Sequence, residues 1–220
     1  MQAITPQIFH YKGFISNSYF LLEPDGISMI DCGTRLDSAG IFRQLSKFGF
    51  PARPLKRILI THSDGDHYGA AAILLGKTRA EVWASQIEKD AIEKGSSSRN
   101  LKGSRLIQFL LQATKPIFTT TPTHVERTLQ DKEMLPILGG LQVLETPGHT
   151  PGHLSYWLEK ERILFAGDSI VIVGDNPQPS GSINTWDEKV ARASFELQMQ
   201  LNPLVLCAGH SCLQIREKGK

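Results

Sequence analysis

Metal-ligating side chains follow short apolar stretches at four places in the chain, and this recurrence constrains the fold more than any other feature of the sequence. The densest cluster follows the apolar stretch at 57–60: Thr61-His62-Ser63-Asp64-Gly65-Asp66-His67. Alternation along an extended loop directs His62, Asp64 and Asp66 to one side. His67 can turn toward the same centre from the start of the next helix. The segment therefore favours a metal site, and the alternative is a solvated turn with a capping Asp.

Three similar sites follow later in the sequence. Two Pro-Gly-His units occupy one segment, and their prolines and glycines hold the imidazoles on a rigid path: Thr146-Pro147-Gly148-His149-Thr150-Pro151-Gly152-His153. Asp168 and His210 each end a short apolar run. Taken singly, these residues are explained as a turn, a cap or a surface histidine. Four strand-end sites with the same ligand types are hard to explain as coincidence, and we expect their side chains to converge on one centre.

Strand and helix candidates alternate along much of the chain. The predicted strands are at 15–22, 27–30, 57–60, 81–84, 141–144, 154–158, 163–165 and 204–207. Helices are predicted around 41–48 and at 188–200, where Asp187 is the expected cap, and 70–75 is predicted to be the start of a buried helix. Strands occur both as hairpins and in alternation with helices, which predicts mixed sheets with helices outside. A chain of 220 residues can bury a substantial core between such layers.

One stretch interrupts this alternation. It opens with Gly95-Ser96-Ser97-Ser98, contains an apolar helix candidate around 106–111 and runs to about Pro136. An insertion of this size usually caps a site or is a surface addition. No linker divides the chain, so we predict one domain, 1–220, with an inserted lid at about 95–136. We expect Phe109 or Phe118 to lie near the opening of the site.

Composition and charge argue against several other classes. The chain has 24 Lys and Arg against 22 Asp and Glu, a net charge of +2, so we expect neither a nucleic-acid partner nor a membrane partner. Its apolar runs are too short to cross a bilayer, and its start has no basic region followed by an apolar stretch. Three cysteines without a disulfide pattern are typical of reduced thiols. A cytoplasmic location is therefore expected.

The order of the motifs resembles the metallo-β-lactamase superfamily. The segments 61–67 and 146–153, then Asp168 and His210, occur in the order of that family, and Asp31-Cys32-Gly33 is similar to its early Asp-x-Gly turn. The resemblance covers nearly the whole chain. It implies an α+β fold, a four-layer αββα sandwich with two mixed sheets face to face, helices outside and a dinuclear metal site at one edge.

The resemblance also assigns metal ligands. His62 and His149 match ligands of the first metal, and Asp168 matches the carboxylate that bridges both metals. The second metal would have three further ligands: Asp66, His67 and His210.

Residues behind and around the metals receive roles in the same way. His153 would orient a ligand or contact the substrate, and Asp31 would support the loop of His62 from behind. Asp66 would also accept a hydrogen bond from the attacking hydroxide. The catalytic assignments that follow are Asp66, Asp168 and His153.

Asp64 departs from the family pattern, which is His-x-His-x-Asp-His with a second His at this position. A carboxylate is a harder, anionic ligand and favours manganese or iron more than imidazole does. We expect two divalent metal ions, zinc first and manganese or iron as the alternative, with weaker occupancy of the first site. Flavodiiron proteins resemble this chain in carrying a carboxylate there. The other interpretation is that Asp64 is not a ligand and is only a polar turn residue.

The function that the resemblance implies is hydrolysis of a small-molecule substrate by water activated between two metals. Thioesterases of the glyoxalase II type have a similar metal set, but they carry an added C-terminal helical domain that we do not expect here. The apolar lid favours an ester, lactone or thioester with a hydrophobic portion, although most lid residues could simply pack on the body. Two alternatives remain: a diiron redox or gas-reactive protein, and a non-hydrolytic ligand-binding member of the fold. The oligomeric state is left open, with a homodimer as one possibility.

Overall fold

The computed structural model describes residues 1–99, 118–181 and 185–210, together with the backbone of 214–215. The first sheet has seven strands in chain order, antiparallel from β1 to β4 and parallel from β4 to β7. They are β1 (Gln2–Thr5), β2 (Ile8–Lys12), β3 (Asn17–Glu23), β4 (Gly26–Ile30), β5 (Leu55–Leu59), β6 (Glu81–Ala84) and β7 (Arg127–Thr128).

The second sheet comes from the later part of the chain. It begins with β8 (Met134–Leu135), β9 (Leu141–Glu145), β10 (Leu154–Leu158) and β11 (Ile163–Gly167). A separate hairpin of β12 (Ile170–Val173) and β13 (Asn176–Pro179) follows, and the chain returns with β14 (Val205–Ala208) and β15 (Gln214–Ile215). The order across the sheet is β15-β14-β11-β10-β9-β8, and only the β11–β14 pair is parallel.

Five α-helices accompany the sheets in the described part of the chain: α1 (Ser38–Lys47), α2 (Gly65–Tyr68), α3 (Ala71–Leu75), α4 (Gln86–Ile92) and α5 (Glu188–Gln200). Ile41 of α1 and Leu74 of α3 pack on the outer face of the first sheet. On the second sheet, α5 packs Phe195 and Met199. Asp187 caps α5 as predicted, because its carboxylate accepts from the first backbone N–H groups of the helix. None of the described helices has both the length and the apolar character needed to cross a bilayer.

The main core lies between the two sheets. Side chains alternate along each strand, so Tyr19 and Leu21 of β3 face the second sheet, whereas Phe20 faces the helices. The second sheet contributes Tyr156 and Phe165 to the same cluster. Burying a large apolar side chain stabilises a fold by roughly 1.5–3 kcal/mol. The layers are therefore helix, sheet, sheet and helix, and the predicted αββα sandwich is confirmed.

The predicted insertion extends too far at its C-terminal end. β7 pairs with β6 in the first sheet, and β8 pairs with β9 in the second. Val125, Leu129 and Leu135 are buried in the two cores. Strands of two residues carry no readable periodicity, which is why the sequence did not separate them from the insertion. The lid candidate shrinks to 95–122, and its predicted helix around 106–111, with Phe109, lies outside the described residues.

Candidate metal centre

The first motif lies at the edge of the sandwich where β5 ends. His62 follows the strand, and the chain stays extended to Asp64, with φ −77° and ψ 144°, before α2 begins at Gly65. Asp66 and His67 therefore both project from α2. The expectation that Asp66 follows His62 and Asp64 by alternation along one loop is wrong, because helical backbone begins one residue earlier. Asp64 makes no side-chain cap to α2, so the capping role is not realised.

The second sheet delivers the other side chains to the same edge. His149 and His153 lie between β9 and β10, Asp168 follows β11 and His210 follows β14. β11 and β14 run parallel, and parallel strands end at the same edge of a sheet. A hydrogen bond of 2.8 Å from the N–H of Gly209 to the carbonyl of Gly167 continues this pairing, which puts Asp168 beside His210.

One group of donor atoms surrounds Asp64. Its Oδ2 lies 3.3 Å from Nε2 of His149 and 3.6 Å from Nε2 of His62. Oδ2 of Asp168 lies 3.5 Å from Nε2 of His149. Ligands that bind zinc tetrahedrally at ordinary bond lengths are about 3.3 Å apart, so this spacing is close to that of a metal-bound set.

A second group adjoins the first through Asp168. Nε2 of His210 lies 3.0 Å from Oδ2 of Asp168 and 3.2 Å from Oδ2 of Asp66. Nε2 of His67 lies 3.4 Å from Oδ1 of Asp168 and 3.4 Å from Nε2 of His210. The structure thus brings together all seven residues that the sequence predicted as ligands, and Asp168 touches both groups.

Two atoms at the centre point most directly to a cation site. Nε2 of His62 and Oδ1 of Asp168 are buried, and neither has a hydrogen-bond partner among the described residues. Leaving a buried polar atom unsatisfied costs about 1–3 kcal/mol. Imidazole nitrogens and carboxylate oxygens are the donors that zinc, manganese and iron accept. The residues present therefore fit divalent cations.

The charges at the centre are strongly coupled. Burial opposes ionisation of Asp168, but the charges of His67 and His210 hold the pKa of its carboxyl well below the usual range. Burial also opposes protonation of His67, yet the neighbouring carboxylates, Asp168 foremost, raise its pKa well above the usual value. The pKa of His210 is raised against burial by Asp168. Burial lowers the pKa of His149.

Asp31 holds two elements of the first motif in place. Its Oδ1 accepts from the N–H of Thr61 at 2.8 Å, and its Oδ2 lies 2.8 Å from Nδ1 of His67. This contact keeps the Nδ1 proton on His67 and directs Nε2 to the centre. The predicted support of the His62 loop is made through Thr61, and Oγ1 of Thr61 lies 2.9 Å from Nδ1 of His62.

His153 lies behind Asp168. It is fully buried, its Nδ1 lies 2.8 Å from Oγ1 of Thr146, and its Nε2 accepts from the N–H of Asp168 at 3.1 Å. Burial holds its pKa well below the usual value, so the ring is neutral and can accept that hydrogen bond. Of the two roles predicted for His153, this geometry fits orientation of Asp168. It does not fit the assignment of His153 as a catalytic residue, since both ring nitrogens face the protein.

Glu88 is a site residue that the sequence reasoning missed. Its buried carboxylate accepts from the N–H of Ser63 at 2.8 Å, from Oγ1 of Thr150 at 2.7 Å and from the N–H of Gly152 at 3.0 Å. It therefore joins the first motif to the Pro-Gly-His segment. The sequence signal around it, Ser85-x-x-Glu88, reads as a capping box. Ser85 does cap α4, but the Glu88 carboxylate reaches the two loops.

Gly209 allows the close approach of the two groups. A Cβ built on Gly209 would lie 2.0 Å from Oδ1 of Asp168 and 2.8 Å from Cε1 of His67. A side chain there would push the shared carboxylate away from the centre.

Comparison with known proteins shows the family to which the chain belongs. The family model described as "Metallo-beta-lactamase superfamily" matches residues 11–210. The chain belongs to the metallo-β-lactamase superfamily. One relative is YflN of Bacillus subtilis (strain 168), named a probable metallo-hydrolase. It is 28% identical over 214 residues, which cover 89% of this chain and 80% of that protein.

A second relative is GloC of Haemophilus influenzae, named a hydroxyacylglutathione hydrolase. It is 27% identical over 173 residues, which cover 71% of this chain and 68% of GloC. Together with the family match, these relatives support a metal-dependent hydrolase.

Solved metallo-β-lactamase structures show the same fold. The family protein TTHA1429 of Thermus thermophilus gives a TM-score of 0.71 at 24% identity, over 97% of this chain and 76% of that one. The B3 metallo-β-lactamase BLEG-1 gives a TM-score of 0.70 at 22% identity, over 94% of this chain and 93% of that one.

Proposed function

We propose that this protein is a hydrolase whose residues would hold a dinuclear metal centre, which would supply activated water for attack on the carbonyl of an ester, lactone or thioester of a small, partly hydrophobic substrate. The observation that carries the proposal is the position of Asp168, whose carboxylate lies within 4.0 Å of the Nε2 atoms of four histidines: His62, His67, His149 and His210. A single carboxylate between two donor groups is suited to a pair of cations.

The donors divide between the two cations by distance. His62, Asp64 and His149 would hold one cation. The other cation would be held by Asp66, His67 and His210. Asp168 would contribute a ligand to both sets. When bound, divalent cations of this kind supply an acidified water and a Lewis acid for the carbonyl oxygen. Zinc fits the histidines, and the carboxylate of Asp64 makes manganese or iron the alternative.

Protein groups would complete the reaction. Asp66 can accept a hydrogen bond from the attacking water through the carboxylate oxygen that does not face His210. The hydroxyl of Ser16 donates to the backbone carbonyl of Asp66 and so holds α2, the helix that carries Asp66, in place. His153 keeps Asp168 oriented through the Asp168 N–H.

Two exposed apolar residues lie in segments whose backbone contacts His210 or His149, and they support the substrate class. Phe14 is 64% exposed, and the carbonyl of the neighbouring Ile15 lies 3.3 Å from Nδ1 of His210. Trp186 is exposed and donates its backbone N–H to the carbonyl of His149. Exposed apolar side chains in such segments favour a substrate with a hydrophobic portion. The name of GloC supports an acyl substrate.

A lid formed by residues 95–122 is part of the proposal. Both described ends of this segment contact the first motif. Ser97 and Arg99 donate to the carboxylate of Asp64. At the other end, the backbone carbonyl of Phe118 lies against Gly65. A Cβ built on Gly65 would be only 2.4 Å from that carbonyl oxygen.

Metal analysis followed by a hydrolase screen tests the proposed function. We expect two divalent cations per chain in freshly purified protein and turnover of lactones, thioesters or aryl esters, with phosphodiesters as the negative comparison. Removal of the cations with a chelator should abolish turnover, and added zinc or manganese should restore it. Two redox-active irons without hydrolysis would favour the diiron alternative. Protein that binds no cation would contradict the proposal.

Zinc uptake by the apo-protein is expected to release protons near pH 7, mainly from the second group. The raised pKa values of His67 and His210 keep these rings protonated at a pH where ordinary histidines are half neutral or more, and a cation binds only neutral imidazole. Zinc affinity should therefore fall as the pH falls through these raised values. Calorimetric titrations in two buffers of different ionisation enthalpy measure the release. Heats that do not depend on the buffer would contradict it.

A further inference from the structure

Arg99 makes an ion pair with the one site residue that departs from the family pattern. Its Nη2 donates to Oδ2 of Asp64, and the side chain of Arg99 is only 7% exposed. The same oxygen faces His149 at 3.3 Å and His62 at 3.6 Å. A cation in this group and the guanidinium of Arg99 would therefore share, or compete for, a single oxygen atom.

The segment that carries Arg99 is fixed to the metal loops. Ser97 donates to Oδ1 of Asp64 at 2.7 Å. Ser98 donates its N–H to Oγ of Ser63 at 2.8 Å and its hydroxyl to Glu88 at 2.9 Å. These contacts hold the Arg99 backbone beside Asp64, so the ion pair is not a chance meeting of long surface side chains.

A second observation indicates that Arg99 has a function beyond neutralising a surface charge. Its Nε is buried and has no hydrogen-bond partner among the described residues. Burying a guanidinium with an unsatisfied N–H is costly. An ion pair between two mostly buried groups does not by itself compensate for that cost, so stability alone does not explain the pairing of Arg99 with Asp64.

We propose that Arg99 and Asp64 act as one neutral unit in the place of the family's second histidine. Asp64 alone would add one negative charge to the first donor group, and Arg99 removes it, so the charge returns to that of a group with a third neutral imidazole. Arg99 is thus a positioning residue that weakens the first group's hold on a cation and keeps that cation strongly Lewis acidic. This inference rests on the proposed metal centre.

Metal titration of apo-protein variants tests the inference. Arg99→Gln frees Oδ2 of Asp64 and removes a positive charge near the cation. The dissociation constant of zinc at the first donor group should therefore fall by at least about tenfold, and that of the second group should not. Arg99→Lys keeps the charge and should stay within about threefold of wild type. Lys56→Gln makes the same charge change at the far end of β5, where Lys56 pairs with Asp25, and should have no effect.

A measurement on unmodified protein guards against a variant that does not fold. In wild type labelled with ¹⁵N-arginine, the Nε resonance of Arg99, assigned by its loss in Arg99→Lys, should shift when zinc is added. No shift, or equal or weaker zinc binding by folded Arg99→Gln, would overturn the inference. Wild type that binds no zinc would instead overturn the proposed metal centre.

Discussion

Asp168→Asn is expected to remove at least one cation from each chain and to reduce hydrolysis by two orders of magnitude or more. The amide keeps the shape of the carboxylate but loses the charge that faces four histidines. Replacing a residue that only orients a metal ligand typically costs about 10- to 100-fold in metal affinity, and loss of a ligand shared by two cations should cost more. Metal content and zinc affinity of the purified variant measure the effect directly.

Asp25→Asn is the matched control, because it makes the same chemical change in an exposed ion pair with Lys56. It should retain full metal content. The same experiment has a readout in the metal-free protein, since Asp168 is the foremost group that raises the pKa of His67 and His210. Both pKa values should fall in Asp168→Asn when followed by NMR. An Asp168→Asn protein with two tightly held cations would show that Asp168 is not shared between them.

Among the variants proposed here, Glu88→Ala is expected to lower the free energy of unfolding most. It leaves the buried N–H groups of Ser63 and Gly152 without their acceptor, and each such loss costs about 1–3 kcal/mol. The sum, about 2–6 kcal/mol, is a large part of the stability of a typical domain. Glu88→Gln keeps one acceptor oxygen and should lose less. Urea unfolding of the apo-proteins measures the free energies.

Asp90→Ala, on the exposed face of the same helix, is the control for Glu88→Ala. It should change the free energy of unfolding by about 0.5 kcal/mol or less. Glu88→Ala should also weaken zinc binding, because Glu88 joins the loops that carry His62 and His149. A Glu88→Ala protein as stable as Asp90→Ala would mean that water replaces the carboxylate.

The sequence predicted the residues at strand ends well, because strand ends are set by local patterns. Apolar runs such as 154–158 stop where a polar residue begins, and parallel pairing then brings distant strand ends to one edge. The αββα layers followed from the family resemblance, and the alternation of Tyr19, Phe20 and Leu21 explains them physically. The spacing of the donor atoms could not be predicted, because it depends on how the two sheets pack.

The residues that sequence reasoning missed contact the site through residues that are distant from them in the sequence. Glu88 lies in a pattern that reads as a helix cap, and Arg99 follows a serine run that reads as the start of an insertion. Nothing local marks either side chain as a neighbour of the centre. β7 and β8 were missed for another reason, since two residues are too few for any periodic signal.

Both donor groups take side chains from both sheets: His62 and Asp66 follow β5 of the first sheet, whereas His149 and His210 belong to loops of the second. A bound cation would therefore cross-link the two halves of the sandwich, and it would bind only after they have docked. Ligands that bind the native state alone stabilise it by about 2.7 kcal/mol at a hundred times their dissociation constant. The amount of folded protein in a cell would then rise and fall with the metal supply, and starvation for metal would remove part of the stability of the fold together with the catalytic chemistry.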